Sequence, residues 1–217
     1  MSQGIEQMKI EIKDYTKIIK DSTVLDKINL TFESGKIYGL KGKNGSGKTM
    51  LMRAVSGLIK PSSGQIIIDN EVLGKDISFP RSIGVLIENP SFLANETGFS
   101  NLRMLADLGN GVSDEDIEDT LSELGLNPKE KKSYKKYSLG MKQKLGIAAA
   151  VMEHPDIIIL DEPINALDQD SVKIVKKMII RERDRGAVII LACHDTEELE
   201  YLSDEIIYIQ DGKIISK

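Results

Sequence analysis

Hydrophobic and polar positions alternate over the first third of the chain. Met8, Ile10 and Ile12 are separated by Lys9 and Glu11, and Ile28, Leu30 and Phe32 repeat the pattern. A period of two is that of a strand with one buried face. Residues 37–40 form a short, mostly apolar run, and residues 66–68 follow the turn residues Pro61, Ser62, Ser63 and Gly64. These early segments predict an antiparallel β portion. The texture then changes: residues 83–87, 157–160 and 188–191 are nearly continuous apolar runs. Such strands are covered on both faces, as in a parallel sheet with helices outside.

Helical spacing links these strands. Leu51, Ala54, Val55 and Leu58 recur at i, i+3, i+4, i+7, and Val172, Val175 and Ile179 mark a second helix closed by Gly186. Residues 91–136 interrupt the strands with mostly helical sequence. There Ser113 caps a segment whose face is Ile117, Leu121 and Leu124, and its acidic first turn suits the helix dipole. Beyond residue 206, IIYIQ and KIIS flank an Asp-Gly pair, the turn that hairpins favour.

Composition narrows the class. The chain has 217 residues, 41% of them apolar, which allows a proper core. Acidic residues number 34 against 29 basic, a net charge of −5, which argues against a dedicated nucleic-acid binder. One cysteine, Cys193, permits no internal disulfide and fits a reducing cytosolic setting. No apolar run approaches the ~18 residues of a membrane span. The N-terminal MSQGIEQMKIEIKDY lacks the apolar core of a signal peptide. If the chain works at a membrane, another chain anchors it.

The chemistry begins at Gly42-Lys43-Asn44-Gly45-Ser46-Gly47-Lys48-Thr49, which fits G-x-x-x-x-G-K-[ST] between a strand and a helix. Glycines let backbone N–H groups wrap a phosphate, and the helix N-terminus adds partial positive charge. Lys48 supplies a full charge, and Thr49 offers a hydroxyl to Mg²⁺. Lys41 and Lys43 either add charge near the nucleotide or point to solvent. Further along, Asp161 and Glu162 end the apolar run 157–160, at the strand edge where open α/β sheets bind ligands. Asp161 is placed to hold Mg²⁺, and Glu162 to orient or deprotonate a water.

With these motifs in place, the chain resembles the ATP-binding subunits of ABC transporters over essentially all of its length. The family's signature, commonly LSGGQ, corresponds to Tyr137-Ser138-Leu139-Gly140-Met141, where only Ser138 and one glycine are kept. A helix beginning near Ser138 aims N–H groups at an anion. The resemblance implies that this anion is the γ-phosphate held by the opposite protomer. It also implies nucleotide contacts at Gly42, Asn44 to Thr49, Met50, Ser138, Gly140 and Asp168. Asn165-Ala166-Leu167-Asp168 resembles the loop that crosses the dimer interface, and His194 the histidine that contacts γ-phosphate. Tyr15 resembles the aromatic that stacks on adenine; the alternative is a core or surface tyrosine. Glu88 stands where most members carry glutamine, on the loop that senses Mg²⁺ and γ-phosphate. That exchange, with YSLGMKQK and NETGFSNL, is similar to the bacitracin-resistance and lantibiotic-immunity branch.

The resulting expectation is an α/β protein with a P-loop NTPase (RecA-like) core and an antiparallel β subdomain. Its single ABC ATPase domain covers residues 1–217, with an α-helical subdomain inserted at 91–145. The catalytic candidates are Glu162, His194 and Lys48; the metal candidates are Thr49, Glu88 and Asp161. The implied cofactors are ATP and Mg²⁺. The implied partners are a second copy, or a paired nucleotide-binding subunit, and an integral membrane permease received around residues 89–99. The implied place is the cytoplasmic face of the membrane, exporting a peptide antibiotic or other amphiphile. The rivals are a soluble ABC ATPase of DNA repair or ribosomes, another phosphate-loop enzyme, and a nucleotide-gated assembly module.

Overall fold

A computed structural model describes residues 8–109 and 111–216. The first seven residues of the N-terminal stretch read above lie outside the described part. In chain order the strands are β1 (Lys9–Ile19), β2 (Ser22–Glu33), β3 (Lys36–Lys41), β4 (Ser63–Ile68), β5 (Glu71–Val72), β6 (Ile83–Leu86), β7 (Ile157–Asp161), β8 (Val188–Ala192), β9 (Glu205–Gln210) and β10 (Lys213–Ser216). The helices are α1 (Lys48–Val55), α2 (Gly98–Ala106), α3 (Asp114–Glu123), α4 (Leu139–Val151), α5 (Gln169–Arg185) and α6 (Thr196–Leu202). Thus α2, α3 and α4 all fall between β6 and β7.

The alternating early strands pair antiparallel in the order β2-β1-β4-β5. The apolar runs build a second sheet, β10-β9-β3-β8-β7-β6. In it β6, β7, β8, β3 and β9 run parallel, and β10 turns back along β9. All five residues of β7 and of β8 are buried. Because successive side chains point to opposite faces, each of these strands serves two cores. Ile158, Leu160, Ile189 and Leu191 pack against the α2–α6 side. Ile157, Ile159, Val188 and Ile190 face α1 and the antiparallel sheet.

Local signals explain the element ends. Ser113 accepts from the Asp116 N–H while Asp116 accepts from the Ser113 N–H, a capping box that starts α3. The chain leaves α5 at Gly186, which adopts φ 110°. One helix is shorter than its spacing predicts. α1 ends at Val55, Gly57 turns the chain at φ 79°, and Leu58 lies beyond the helix, 58% exposed. Its apparent place in the repeat was a coincidence of spacing.

Strand register sets up the site. Leu86 pairs with Leu160, Asp161 with Ala192, and Leu40 with Ala192. The C-terminal ends of β6, β7, β8 and β3 therefore lie side by side, and the segments that follow them share one edge of the sheet.

Candidate functional site

That edge holds a cleft of about 690 Å³. The phosphate loop forms its floor, joining β3 to α1. Gly47 is the N-cap of α1 at φ 113°, and an added Cβ would lie 3.2 Å from the Val24 carbonyl. A side chain there would be strained and would crowd the wall of the cleft. Lys48 is buried, and its Nζ donates to the Gly42 carbonyl at 2.7 Å and the Lys43 carbonyl at 3.3 Å. The loop thus wraps its own ammonium while the N–H groups of the first turn of α1 stay unpaired within the helix. Ser46 is buried with its hydroxyl unpartnered among the described residues. Asn44, Gly45, Gly47, Lys48, Thr49 and Met50 all line the cleft.

The acid pair closes one side. Thr49 Oγ1 donates to Asp161 Oδ2 at 2.9 Å, joining the first turn of α1 to the end of β7. Glu162 follows at φ 53°, a left-handed conformation that turns the chain out of the strand. Its Oε2 accepts the His194 N–H at 2.9 Å, and its Oε1 lies 3.5 Å from His194 Nε2. Asp161, Glu162 and His194 all face the cleft. Neighbouring Cys193 is half-buried, and burial pushes its thiol up to about 11. It is held as the neutral thiol near neutral pH.

Ser138, Gly140 and Asp168 lie away from this cleft. Ser138 is exposed and caps α4, accepting from the Met141 N–H at 3.2 Å; Gly140 follows in the first turn. Asp168 caps α5, and the Ser171 N–H and hydroxyl hold its carboxyl below the usual range. One contact ties this region to the acid pair. Buried Gln143 on α4 donates from Nε2 to the carbonyls of Glu162 and Pro163, at 2.9 and 3.2 Å. The sequence reading assigned Gln143 no such task.

Two expected contacts are corrected. Tyr15 is 1% exposed within the core beneath the antiparallel sheet, and its hydroxyl donates to the Ile59 carbonyl at 3.1 Å. Tyr15 is one residue out of step with Ile10 and Ile12, and the register shift between Ile12 and Tyr15, with Asp14 at φ 47°, brings the ring onto the same buried face rather than to a base. Glu88 does not line the cleft either. At φ 59° it turns toward α1, and its Oε1 accepts from Arg53 Nη2 at 2.7 Å. Lys41, one of the two loop lysines left open, pairs with Glu200 at 2.9 Å.

The sequence reading missed Ser22, Thr23, Val24, Asp211 and Gly212, which complete the cleft. The Gly212 N–H donates to the Ser46 carbonyl and the Asp26 N–H to the Gly212 carbonyl, both at 2.8 Å. The Asp-Gly turn was visible as a hairpin, but its docking on the phosphate loop is a long-range contact with no local pattern.

Comparison with known proteins bears on this geometry. A family profile described as ABC transporter matches residues 25–165. The chain is 48% identical to an uncharacterized ABC transporter ATP-binding protein, YybJ of Bacillus subtilis (strain 168), over 94% of each protein. It is 38% identical to the bacitracin transport ATP-binding protein BcrA of Enterococcus faecalis, over 98% of this chain and 70% of that one. A solved ATP binding subunit of an ABC transporter superposes with a TM-score of 0.86 at 26% identity, over 95% of this chain and 88% of that one.

Proposed function

The chain belongs to the ABC transporter family as an ATP-binding subunit, and from that premise we propose how its residues divide the work. It is an ATPase. The observation that carries the division is the single cleft in which Thr49 meets Asp161 and Glu162 meets His194, over the phosphate loop.

Lys48 and the N-terminus of α1 hold the phosphates. Thr49 Oγ1 and Asp161 Oδ2, 2.9 Å apart, offer hard oxygen donors. That set fits Mg²⁺, which binds through one or two carboxylates plus substrate phosphates and keeps several waters. When bound, Mg²⁺ would neutralise charge on the transferred phosphoryl group. Glu162 orients the attacking water and takes up its proton, while the His194 N–H steadies the carboxylate. General-base help of this kind contributes about 10²–10⁴-fold.

Two copies close head-to-tail. Ser138 caps α4 and Gly140 follows in its first turn, the helix end that favours an anion, and they serve the partner's nucleotide. Asp168 lies at the same seam. Closure and reopening drive a separate integral membrane permease, received near residues 89–99, so the chain sits at the cytoplasmic face of the membrane. No helix of the described residues is long and apolar enough to cross a membrane. Similarity to a bacitracin transport ATP-binding protein supports export of a peptide antibiotic or other amphiphile. A net charge of −5 gives no support to nucleic acid as a partner.

The test is purification of the tagged chain from membranes of its own cell. A co-purifying polytopic protein, with ATP hydrolysis that rises with a peptide antibiotic, is expected. A soluble chain that carries ATPase activity and no membrane partner would favour the soluble reading instead.

A further inference from the structure

Positive charge is unevenly spread along the chain. The net charge is −5, yet residues 129–136 hold Lys129, Lys131, Lys132, Lys135 and Lys136 beside a single acid, Glu130. Five charges against one leave this segment at +4 and all other residues at −9. The five lysines are exposed. Among the described residues none of the five pairs with a carboxylate, whereas Lys9, Lys36, Lys41, Lys173, Lys176 and Lys213 all do. The segment is also held in one place, along the loop that follows β6. The Tyr134 N–H donates to the Glu96 carbonyl at 2.7 Å and the Lys135 N–H to the Ala94 carbonyl at 2.9 Å. The Tyr134 hydroxyl donates to the Pro90 carbonyl at 2.6 Å. Lys142 on α4 adds a further ammonium, 5.1 Å from the centre of the Tyr134 ring.

We propose that this lysine ridge rests on the anionic lipid surface of the membrane, on the reading given above that residues 89–99 face a membrane permease. Near such a surface each lysine strengthens binding by about fivefold, so five together amount to about a thousandfold. A lysine is a compact point charge on a flexible stem, which suits headgroups that diffuse beneath it. A built contact with a protein would favour arginine, and interfaces between proteins are poor in lysine. Residues 129–136 contain no arginine. Single-stranded nucleic acid would call for exposed rings on which bases stack, and the tyrosines here, Tyr134 and Tyr137, are buried. The acidic remainder of the chain is repelled by the same lipid, so the ridge orients the subunit as well as attracting it.

The test is sedimentation of the intact chain with vesicles of phosphatidylcholine alone or with phosphatidylglycerol mixed in. Binding to the anionic vesicles should be at least about tenfold tighter than to the neutral ones. It should be lost when salt rises from about 0.1 M to about 1 M, as the screening length falls from ~10 to ~3 Å. A variant with Lys129, Lys131, Lys132, Lys135 and Lys136 all changed to Gln should lose the preference while keeping its ATP affinity, which shows that it is folded. Equal partition onto both kinds of vesicle, or undiminished binding by the variant, would overturn the inference. If the variant instead fails to co-purify with a permease, and the wild-type chain ignores anionic vesicles, the ridge belongs to the permease and the lipid contact falls. The vesicles contain no permease, so failure here leaves the transporter reading standing. A missing permease in cell membranes would overturn that reading and leave the vesicle result intact.

Discussion

Glu88 is fastened to Arg53, with Nη2 donating to Oε1 at 2.7 Å. The pair joins the segment after β6 to the helix whose first residue is Lys48. It therefore links the surface proposed to receive the permease with the element that holds phosphate, without touching Thr49 or Asp161. The sequence alone places the Glu88 carboxylate at the metal, where an exchange to amide should change the Mg²⁺ requirement. With Arg53 offsetting its charge, Glu88→Gln should move the Mg²⁺ half-saturation of ATP hydrolysis by no more than about twofold, as for a partly exposed pair. Glu88→Gln and Arg53→Gln should each cost ~0.2–1 kcal/mol, and the double variant no more than the larger single loss. Thermal melts and Mg²⁺ titrations read both. A large shift in the Mg²⁺ curve would put the carboxylate back at the metal.

Lys48→Ala should abolish ATP binding. The ammonium is already enclosed by the loop, on the carbonyls of Gly42 and Lys43. Its removal takes away the one lysine or arginine among the described residues lining the cleft and leaves two acceptors without a donor. Charge-assisted bonds of this kind contribute about 1.5–3 kcal/mol each, so two or more imply a loss of at least about a hundredfold. Calorimetric titration with ATP measures it, and wild-type affinity would contradict the role.

The parts legible in the sequence were those with a local cause. Period-two runs marked β1 and β2, unbroken apolar runs marked β7 and β8, and the Ser113 cap marked α3. The phosphate loop and acid pair were legible because spacing and strand context are both local. What escaped was set by long-range packing. Nothing near Tyr15 says that its hydroxyl ends on Ile59, 44 residues away. Nothing near Glu88 says that Arg53, 35 residues earlier, presents a guanidinium to it. The docking of Gly212 on Ser46 and the bridge from Gln143 to Glu162 are contacts of the same kind.

Glu162→Gln should keep ATP bound while nearly stopping turnover. The amide keeps a carbonyl oxygen that can accept the His194 N–H, so the geometry at 2.9 Å survives. What is lost is an acceptor for the proton of water. Turnover should fall by roughly 10²–10³-fold, within the usual range for a general base. The variant should then collect as an ATP-held dimer, visible by light scattering as a doubling of mass on adding ATP. A variant that hydrolyses at the wild-type rate and stays monomeric with ATP would remove Glu162 from the role.

Gly84→Ala should be among the most destabilising single-methyl changes in the chain. Gly84 lies on β6 beneath the end of α4, and an added Cβ would stand 1.7 Å from the Ala150 carbonyl oxygen and 2.9 Å from the Pro155 ring. Both neighbours are constrained, so relief requires α4 to lift from the sheet. Over-packing of this kind typically costs about 1–3 kcal/mol, and a backbone clash lies at the upper end. α4 also carries Ser138 at its start and Gln143, whose side chain reaches the Glu162 and Pro163 carbonyls. A lifted α4 should therefore lower ATP-induced dimerisation more than it lowers ATP affinity, because the phosphate loop is on the other side of the sheet. Urea melts and light scattering on the same preparation separate the two. An unchanged melt would mean that α4 slides past the new methyl at no cost.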